Sequence, residues 1–196
     1  MNLRNMALTK RILTKSISWK MILMLLLSAT APMGATANGH PTCDESTLPG
    51  GVIRSLRSHY STWHILTIKD LVADDAKLWQ EAHHSACPGF VSGDFDGTGR
   101  TSYAATLLRS TDDKLSQTLI LLSPEGNEYR VLILSAAQQV ARASVVEKLP
   151  AGRYSSVGDT AQIGTKFPVI QYEAIESGSI LYYWRAGRFH SLISSE

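Results

Sequence analysis

The sequence predicts a single α+β domain on a mostly antiparallel sheet of about six or seven strands, with two N-terminal helices. Two observations predict this class. Apolar residues recur at helical spacing only before residue 90, and beyond it they follow the two-residue period of strands. Short glycine-containing segments then separate the last strand-like runs, as in an antiparallel meander.

Two helices are expected in the first third of the domain. Val52 and Leu56 fall on one helical face, with basic side chains opposite. A second helix is expected to begin near Asp70, whose side chain is of a type that caps helices. Leu78 and Trp79 lie on the predicted apolar face of this helix.

The strands follow from alternation and from β-branched and aromatic composition. The run 117–122 is apolar almost throughout, which is typical of a strand covered on both faces. Residues 135–162 are small and polar with weak periodicity, so a loop is expected there. Strands are predicted at residues 63–68, 102–109, 117–122, 128–134, 167–174, 179–184 and 188–193.

The charge of the chain is unevenly distributed. Five of the 19 basic residues and none of the 17 acidic residues lie in residues 1–37. That basic segment is followed by the apolar run 21–27 and by Ala35-Thr36-Ala37, a pattern typical of a secretory signal peptide cleaved after Ala37. The alternative is an uncleaved membrane tether. The sequence predicts a signal peptide at 1–37 and one domain at 38–196, periplasmic or secreted.

The two cysteines, Cys43 and Cys87, are expected to form a disulfide. Two cysteines of an exported protein are more often joined than free. A reactive or metal-binding thiol has no supporting C-x-x-C motif in this chain.

The densest motif spans residues 93–104 and reads GDFDGTGRTSYA. Counted from Asp94, it has carboxylates at loop positions one and three and a glycine at six, which is how a calcium loop begins. The stretch resembles the FG-GAP/VCBS type of repeat, with the signature GDFDGDG followed by x-x-D and an apolar strand. The single copy in this chain is similar to the single copies found in small exported bacterial proteins. The resemblance implies a calcium site formed by Asp94, Asp96, Thr98, the Arg100 carbonyl and Ser102.

The motif departs from that family at two positions. Thr98 and Ser102 stand where aspartate is usual, so only two carboxylates remain, and calcium affinity rises with ligand charge. Arg100 also adds a positive charge nearby. Two interpretations stay open: a weak calcium site, or a structural turn in which Asp94 and Asp96 bond backbone amides.

No other motif indicates catalysis. The six histidines show no zinc spacing, and the sequence lacks a nucleophile elbow and a P-loop. The aromatic residues Tyr182, Tyr183, Trp184 and Phe189 fit either a core or a protein-contact surface.

The sequence therefore favours a non-catalytic binding or interaction protein, whose partner is expected to be another envelope protein. One alternative is a periplasmic inhibitor or immunity protein, and another is a cell-envelope hydrolase with an unrecognised site. Nucleic acid is disfavoured as a partner because the predicted mature chain is mildly acidic. Membrane contact is expected only through an uncleaved signal segment.

Overall fold

The structure is a computed structural model, and it describes residues 43–111, 114–157 and 162–195. The chain divides into two compact units, Met1–Ala37 and Asn38–Glu196, and every described residue belongs to the second. The signal peptide predicted at residues 1–37 lies outside the described residues.

Two helices and eleven strands form the regular secondary structure of the described residues, with short 3-10 turns at Glu45–Thr47 and Ile68–Asp70. In chain order the elements are α1 (Gly50–His59), β1 (His64–Ile65), α2 (Ala73–His83), β2 (Phe90–Gly93), β3 (Ser102–Thr111), β4 (Lys114–Glu125), β5 (Glu128–Val140), β6 (Val145–Leu149), β7 (Arg153–Ser155), β8 (Gln162–Gly164), β9 (Val169–Ala174), β10 (Gly178–Arg185) and β11 (Arg188–Ser195).

The strands form three sheets in which every pairing is antiparallel. Sheet A runs β3-β4-β5, and both β1 and β2 pair along the outer edge of β3. Sheet B has the order β11-β10-β9-β6, and β7 pairs with β8 alone. Because β5 gains an extra residue against β4 at two places, it is bulged, and bulges protect an edge strand from pairing with another chain.

The strand β4 of sheet A is buried on both faces. Ile120 and Leu122 of β4 pack with Val52 of α1 on one face. Leu119 and Leu121 pack against sheet B on the other face, and all four β4 residues are fully buried. The strand expected to be covered on both faces is therefore confirmed, and the layers follow in the order α1, sheet A, sheet B.

A buried polar contact links the two sheets. The side-chain carbonyl of Gln117 in β4 accepts a hydrogen bond from the Ser144 backbone at 2.9 Å, and its amide donates to the Ser144 hydroxyl at 3.0 Å. Gln117 is 1% exposed. Because a buried amide is costly without partners, this pair fixes the segment entering β6 over β4.

The second helix closes one end of the sandwich. Trp79 of α2 packs with Leu66, Leu108 and Val145. Its indole N–H donates to the carbonyl of Ala86 at 2.9 Å. The helix therefore joins sheet A and sheet B through one aromatic side chain whose polar atom is also satisfied.

The predicted disulfide is confirmed. Cys43 and Cys87 are joined with an S–S distance of 2.03 Å across a sequence separation of 44 residues. Cys87 is buried beside Val52 and Phe90, just before β2. The bond therefore holds the segment before α1 against the segment that enters sheet A.

The α+β class with six or seven strands is wrong: the described part of the chain is mainly β, with eleven strands in three sheets. The expected loop at 135–162 contains the end of β5 together with β6 and β7 and the start of β8. Residues 136–139 of β5 are exposed, so no apolar alternation marks them as a strand. Backbone pairing of Gln138 and Gln139 with Gln117 and Ser116 of β4 continues the strand there instead.

The second helix also differs from the expectation in detail. It begins at Ala73, because Asp70 closes the preceding 3-10 turn by accepting hydrogen bonds from the backbone N–H and the hydroxyl of Thr67, each at 2.8 Å. Trp79 is buried as expected, but Leu78 is 36% exposed. The buried face of α2 is thus narrower than the apolar pattern suggested.

Replacing Cys43 by serine should lower the free energy of unfolding by about 4 kcal/mol. Without the disulfide, the segment between Cys43 and Cys87 is unconstrained in the unfolded chain, and the added conformational entropy stabilises the unfolded state by that amount. Urea denaturation of the oxidised protein would measure the loss. Reducing agent should bring the wild-type protein to the stability of Cys43→Ser and leave the variant unchanged. An equal effect of reductant on both proteins would contradict the assignment.

Candidate functional site

The motif at 93–104 forms a tight connection between two neighbouring strands. β2 ends at Gly93, β3 begins at Ser102, and these two residues are directly paired. Loop position one, Asp94, and loop position nine, Ser102, are therefore brought together at the sheet edge by the pairing of β2 with β3. The eight residues between the strands form the turn that a cation-binding loop requires.

The two carboxylates of the loop accept hydrogen bonds from its own backbone. Asp94 accepts at Oδ2 from the N–H of Gly99 at 2.9 Å. Asp96 accepts at Oδ1 from the N–H of Thr98 at 3.1 Å and from the Thr98 hydroxyl at 2.8 Å. The loop thus contains the turn hydrogen bonds of the structural interpretation, and each carboxylate keeps its second oxygen outside them.

Two oxygen atoms at this site are buried without a hydrogen-bond partner: Asp94 Oδ1 and Ser102 Oγ. Ser102 is fully buried. An unpartnered buried polar atom costs about 1 to 3 kcal/mol. Both atoms belong to loop positions that the family resemblance assigned to calcium, and hard oxygen atoms are the ligands calcium prefers. The donor set therefore fits a calcium ion.

The charge around the loop is compatible with a cation. The Arg100 guanidinium donates to the Gly126 carbonyl at 3.1 Å, in the turn between β4 and β5. Arg100 forms none of the ion pairs found in the described residues, so it does not neutralise Asp94 or Asp96. Three or more His, Cys, Asp or Glu residues do not cluster anywhere in the described ranges, so a calcium ion here would use neutral oxygens besides two carboxylates.

Two aromatic residues hold the loop against the sandwich. Phe95 is fully buried in the cluster between sheet A and sheet B. Gly97 has a φ of +73°, and a Cβ atom at this position would lie 2.1 Å from the ring of Phe167. The loop therefore packs on Phe167, in the segment that leads into β9.

A cleft of about 560 Å³ lies on the segment that contains Phe167. Its aromatic walls are Phe167 and Trp184, and Trp184 packs edge-to-face on Phe189 with ring centroids 5.0 Å apart. Its charged walls are Lys166 and Arg185. Among the sequence-predicted residues, only the aromatic cluster contributes here, through Trp184.

The other members of the aromatic cluster are internal. Tyr182 is 7% exposed and packs between the two sheets. Tyr183 is 8% exposed and stacks on His190 with ring centroids 5.6 Å apart. The interpretation of these tyrosines as a protein-contact surface is therefore wrong, because both rings are buried by their neighbours.

Two histidine–carboxylate pairs occur in the described residues. His64 and Asp70 are 3.1 Å apart, and His83 and Glu147 are 3.5 Å apart. Partial burial opposes ionisation of Asp70, but hydrogen bonds from Thr67 and His64 outweigh it and hold its pKa below the ordinary value. This carboxylate stabilises the fold above its unfolded pKa, and the contribution is lost as the pH falls through the folded pKa. None of these four side chains lines the cleft beside Phe167, the cavity beside Cys43 and Cys87 or the cavity beside Tyr60 and Ile133.

The cleft was not predicted from the sequence. Lys166, Phe167 and Arg185 belong to no motif, and their proximity follows from the pairing of β9, β10 and β11. A partial signal was present in the sequence Arg-Ala-Gly-Arg at 185–188, a two-residue hairpin turn flanked by like charges.

Comparison with known proteins gives no relative: no family model matches the chain, and neither a curated protein nor a solved structure matches it. Within the described ranges, the helices are too short or too polar to cross a membrane.

Alanine substitutions at Gly97 and at Gly99 should distinguish the stability lost through overlap with Phe167 from the stability lost through backbone strain. Both glycines have positive φ, +73° and +76°, which costs an alanine about 1 to 2 kcal/mol. Only Gly97→Ala also overlaps the Phe167 ring, because nothing lies within 4 Å at Gly99. We expect Gly97→Ala to lose about 1 to 3 kcal/mol more in urea denaturation. Equal losses would show that the loop does not rest on Phe167.

Proposed function

We propose that this chain is an exported, non-catalytic binding protein whose loop from Asp94 to Ser102 holds a calcium ion. The observation that carries the proposal is the pair of buried, unpartnered oxygen atoms, Asp94 Oδ1 and Ser102 Oγ. Both stand at ligand positions of the calcium-type loop, and calcium supplies the interaction that each atom lacks. Asp96 Oδ2 and the hydroxyl oxygen of Thr98 would be further ligands from the same loop. Asp96 Oδ2 also accepts a hydrogen bond from the Ser123 hydroxyl at 3.4 Å.

The affinity of such a site is expected to be low. Two carboxylates give less ligand charge than the three or four of stronger calcium loops, and affinity in the millimolar range is typical of extracellular modules. Export is consistent with this affinity, because calcium outside the cytoplasm is concentrated enough to fill a weak site. The Cys43–Cys87 disulfide also supports an oxidising compartment.

The role of calcium in this proposal is structural. Phe95 anchors one side of the loop in the core, and Gly97 packs on Phe167 on the other. A bound ion would therefore fix the segment that carries Phe167. Calcium would supply charge to the loop, while the chain's own residues would supply the recognition surface.

The hydrolase alternative has less support than a binding role. Acid–base catalysis needs a histidine or carboxylate pair facing a cleft. The pairs His64–Asp70 and His83–Glu147 do not line the cleft beside Phe167, the cavity beside Cys43 and Cys87 or the cavity beside Tyr60 and Ile133.

The inhibitor or immunity alternative is favoured by one small surface. Ile193 is 52% exposed and Val157 is 41% exposed. Their backbones are joined, because the Val157 N–H donates to the Ile193 carbonyl at 3.1 Å. An exposed apolar pair formed by β11 and the segment after β7 suits contact with another protein, although it is smaller than a standard interface.

Calcium should raise the melting temperature of the exported protein. For a millimolar Kd, 10 mM calcium stabilises by roughly 1.4 kcal/mol, or about 3 to 5 °C relative to chelator. Asp94→Asn should abolish this shift, because it removes one of two ligand charges while keeping a side-chain oxygen for Gly99. Asp74→Asn, an identical change at an exposed position in α2, should keep the shift. Equal melting temperatures of the wild-type protein in calcium and chelator would refute the site.

Export makes a separate prediction about the chain's N-terminus. Mass spectrometry of protein recovered from the periplasm or the medium should give a chain beginning at Asn38, because the predicted cleavage follows Ala37. Recovery of residues 1–37 in a membrane-bound protein would support the uncleaved tether instead.

A further inference from the structure

Positive charge is concentrated at the cleft beside Phe167. Lys166 and Arg185 line it with exposed side chains. Arg188 is paired directly with Arg185 across the turn between β10 and β11. None of the three joins an ion pair among the described residues, although residues 38–196 carry more acidic than basic side chains. The cations are therefore gathered here against the overall composition of the domain.

The arrangement of these cations is unfavourable without a counter-charge. Like charges placed directly opposite each other on paired strands destabilise a sheet. Arg188 directs its Nε to His190 at 3.3 Å, so it also lacks a carboxylate partner there. An anion in the cleft would relieve this repulsion, because guanidinium and ammonium groups bind carboxylates through charged hydrogen bonds.

The aromatic walls of the cleft indicate what kind of group could accompany the anion in a ligand. Trp184 is half-buried, and its edge-to-face contact with Phe189, at an interplanar angle of 64°, fixes the indole. Phe167 forms the second wall, and Gln162 contributes an exposed amide that can bond hydroxyl groups. Flat apolar walls beside a few polar groups are typical of sites for small ring-bearing molecules.

We infer that this cleft binds a ligand that carries a carboxylate on a ring with an apolar face, with Lys166 and Arg185 holding the carboxylate and Trp184 packing on that face. The shared chemistry belongs both to an acidic sugar, such as a uronate, and to a free aromatic acid. The hydroxyl-bonding amide of Gln162 would distinguish the sugar. This inference deepens the proposed binding role, and it needs no calcium in the neighbouring loop.

The experiment is a titration of the exported protein with four probes in chelator, because uronates bind calcium themselves. The probes are D-glucuronate and benzoate, which carry a carboxylate on a ring, glucose, which lacks the charge, and acetate, which lacks the ring. Calorimetry gives the Kd, and NMR of the tryptophan indole N–H groups shows whether Trp184 is the ring that responds. We expect saturable binding of glucuronate, benzoate or both, and binding of glucose and acetate at least tenfold weaker.

Matched variants test the assigned residues. Lys166→Gln and Arg185→Gln should each weaken binding of the favoured probe about tenfold, since each removes one charged hydrogen bond. Arg57→Gln, the same loss of charge on the exposed side of α1, should leave the Kd unchanged. Tighter binding of glucuronate than of benzoate would identify a sugar site, and the reverse would identify an aromatic-acid site.

Three results would overturn the inference. The first is that neither glucuronate nor benzoate binds saturably. The second is that glucose or acetate binds as tightly as the favoured ring acid. The third is that Arg185→Gln and Arg57→Gln have equal Kd values for that acid. Because all titrations are done in chelator, a failure of the calcium proposal leaves this result unaffected. Circular dichroism of each variant would establish that it is folded.

Discussion

The fold depends on burying both faces of β4. Its apolar run 119–122 alternates between the cluster under α1 and the cluster shared with sheet B, and every residue in it is fully buried. A strand of this kind needs a layer on each side, since leaving either apolar face in water costs about 25 cal/mol per Å². The helix covers one face and sheet B covers the other. Gln117 adds the polar contact that sets their position, through Ser144.

The position of the loop from Asp94 to Ser102 follows from this layering. Phe95 can enter the core only because sheet B lies over that face of sheet A. With Phe95 fixed, the loop turns back so that Gly97 meets Phe167, and Asp94 and Ser102 lie at one strand end. The result is a site whose oxygen atoms are held by the core but not fully satisfied by it, as for Asp94 Oδ1. In the function proposed above, a bound calcium ion would supply the interaction that this oxygen atom lacks.

The cleft and the loop from Asp94 to Ser102 share the ring of Phe167. Phe167 packs on Gly97 and also lines the cavity with Trp184, so one ring belongs to two neighbouring features. The calcium-type loop and the cationic cleft are consequently adjacent, with opposite charges: carboxylates in one, and Lys166 and Arg185 in the other. A cation and an anionic ligand could both be held at this end of the domain without competing for the same side chains.

The sequence by itself determined the local features. The presence of two cysteines in a chain expected to be exported predicted the disulfide. The run 117–122 predicted a strand covered on both faces, and the motif at 93–104 predicted a turn rich in carboxylates and glycines. Each of these features depends on residues that are close in sequence, or on the tendency of two cysteines in an oxidising compartment to form a disulfide.

The tertiary structure decided the mainly β class and the cleft. Residues 138 and 139 at the end of β5 are exposed and belong to the strand through their pairing with β4. Lys166 and Arg185 line one cleft because of the order of strands in sheet B. Pairing between distant segments leaves little pattern in a single sequence, because backbone hydrogen bonds are the same for every side chain.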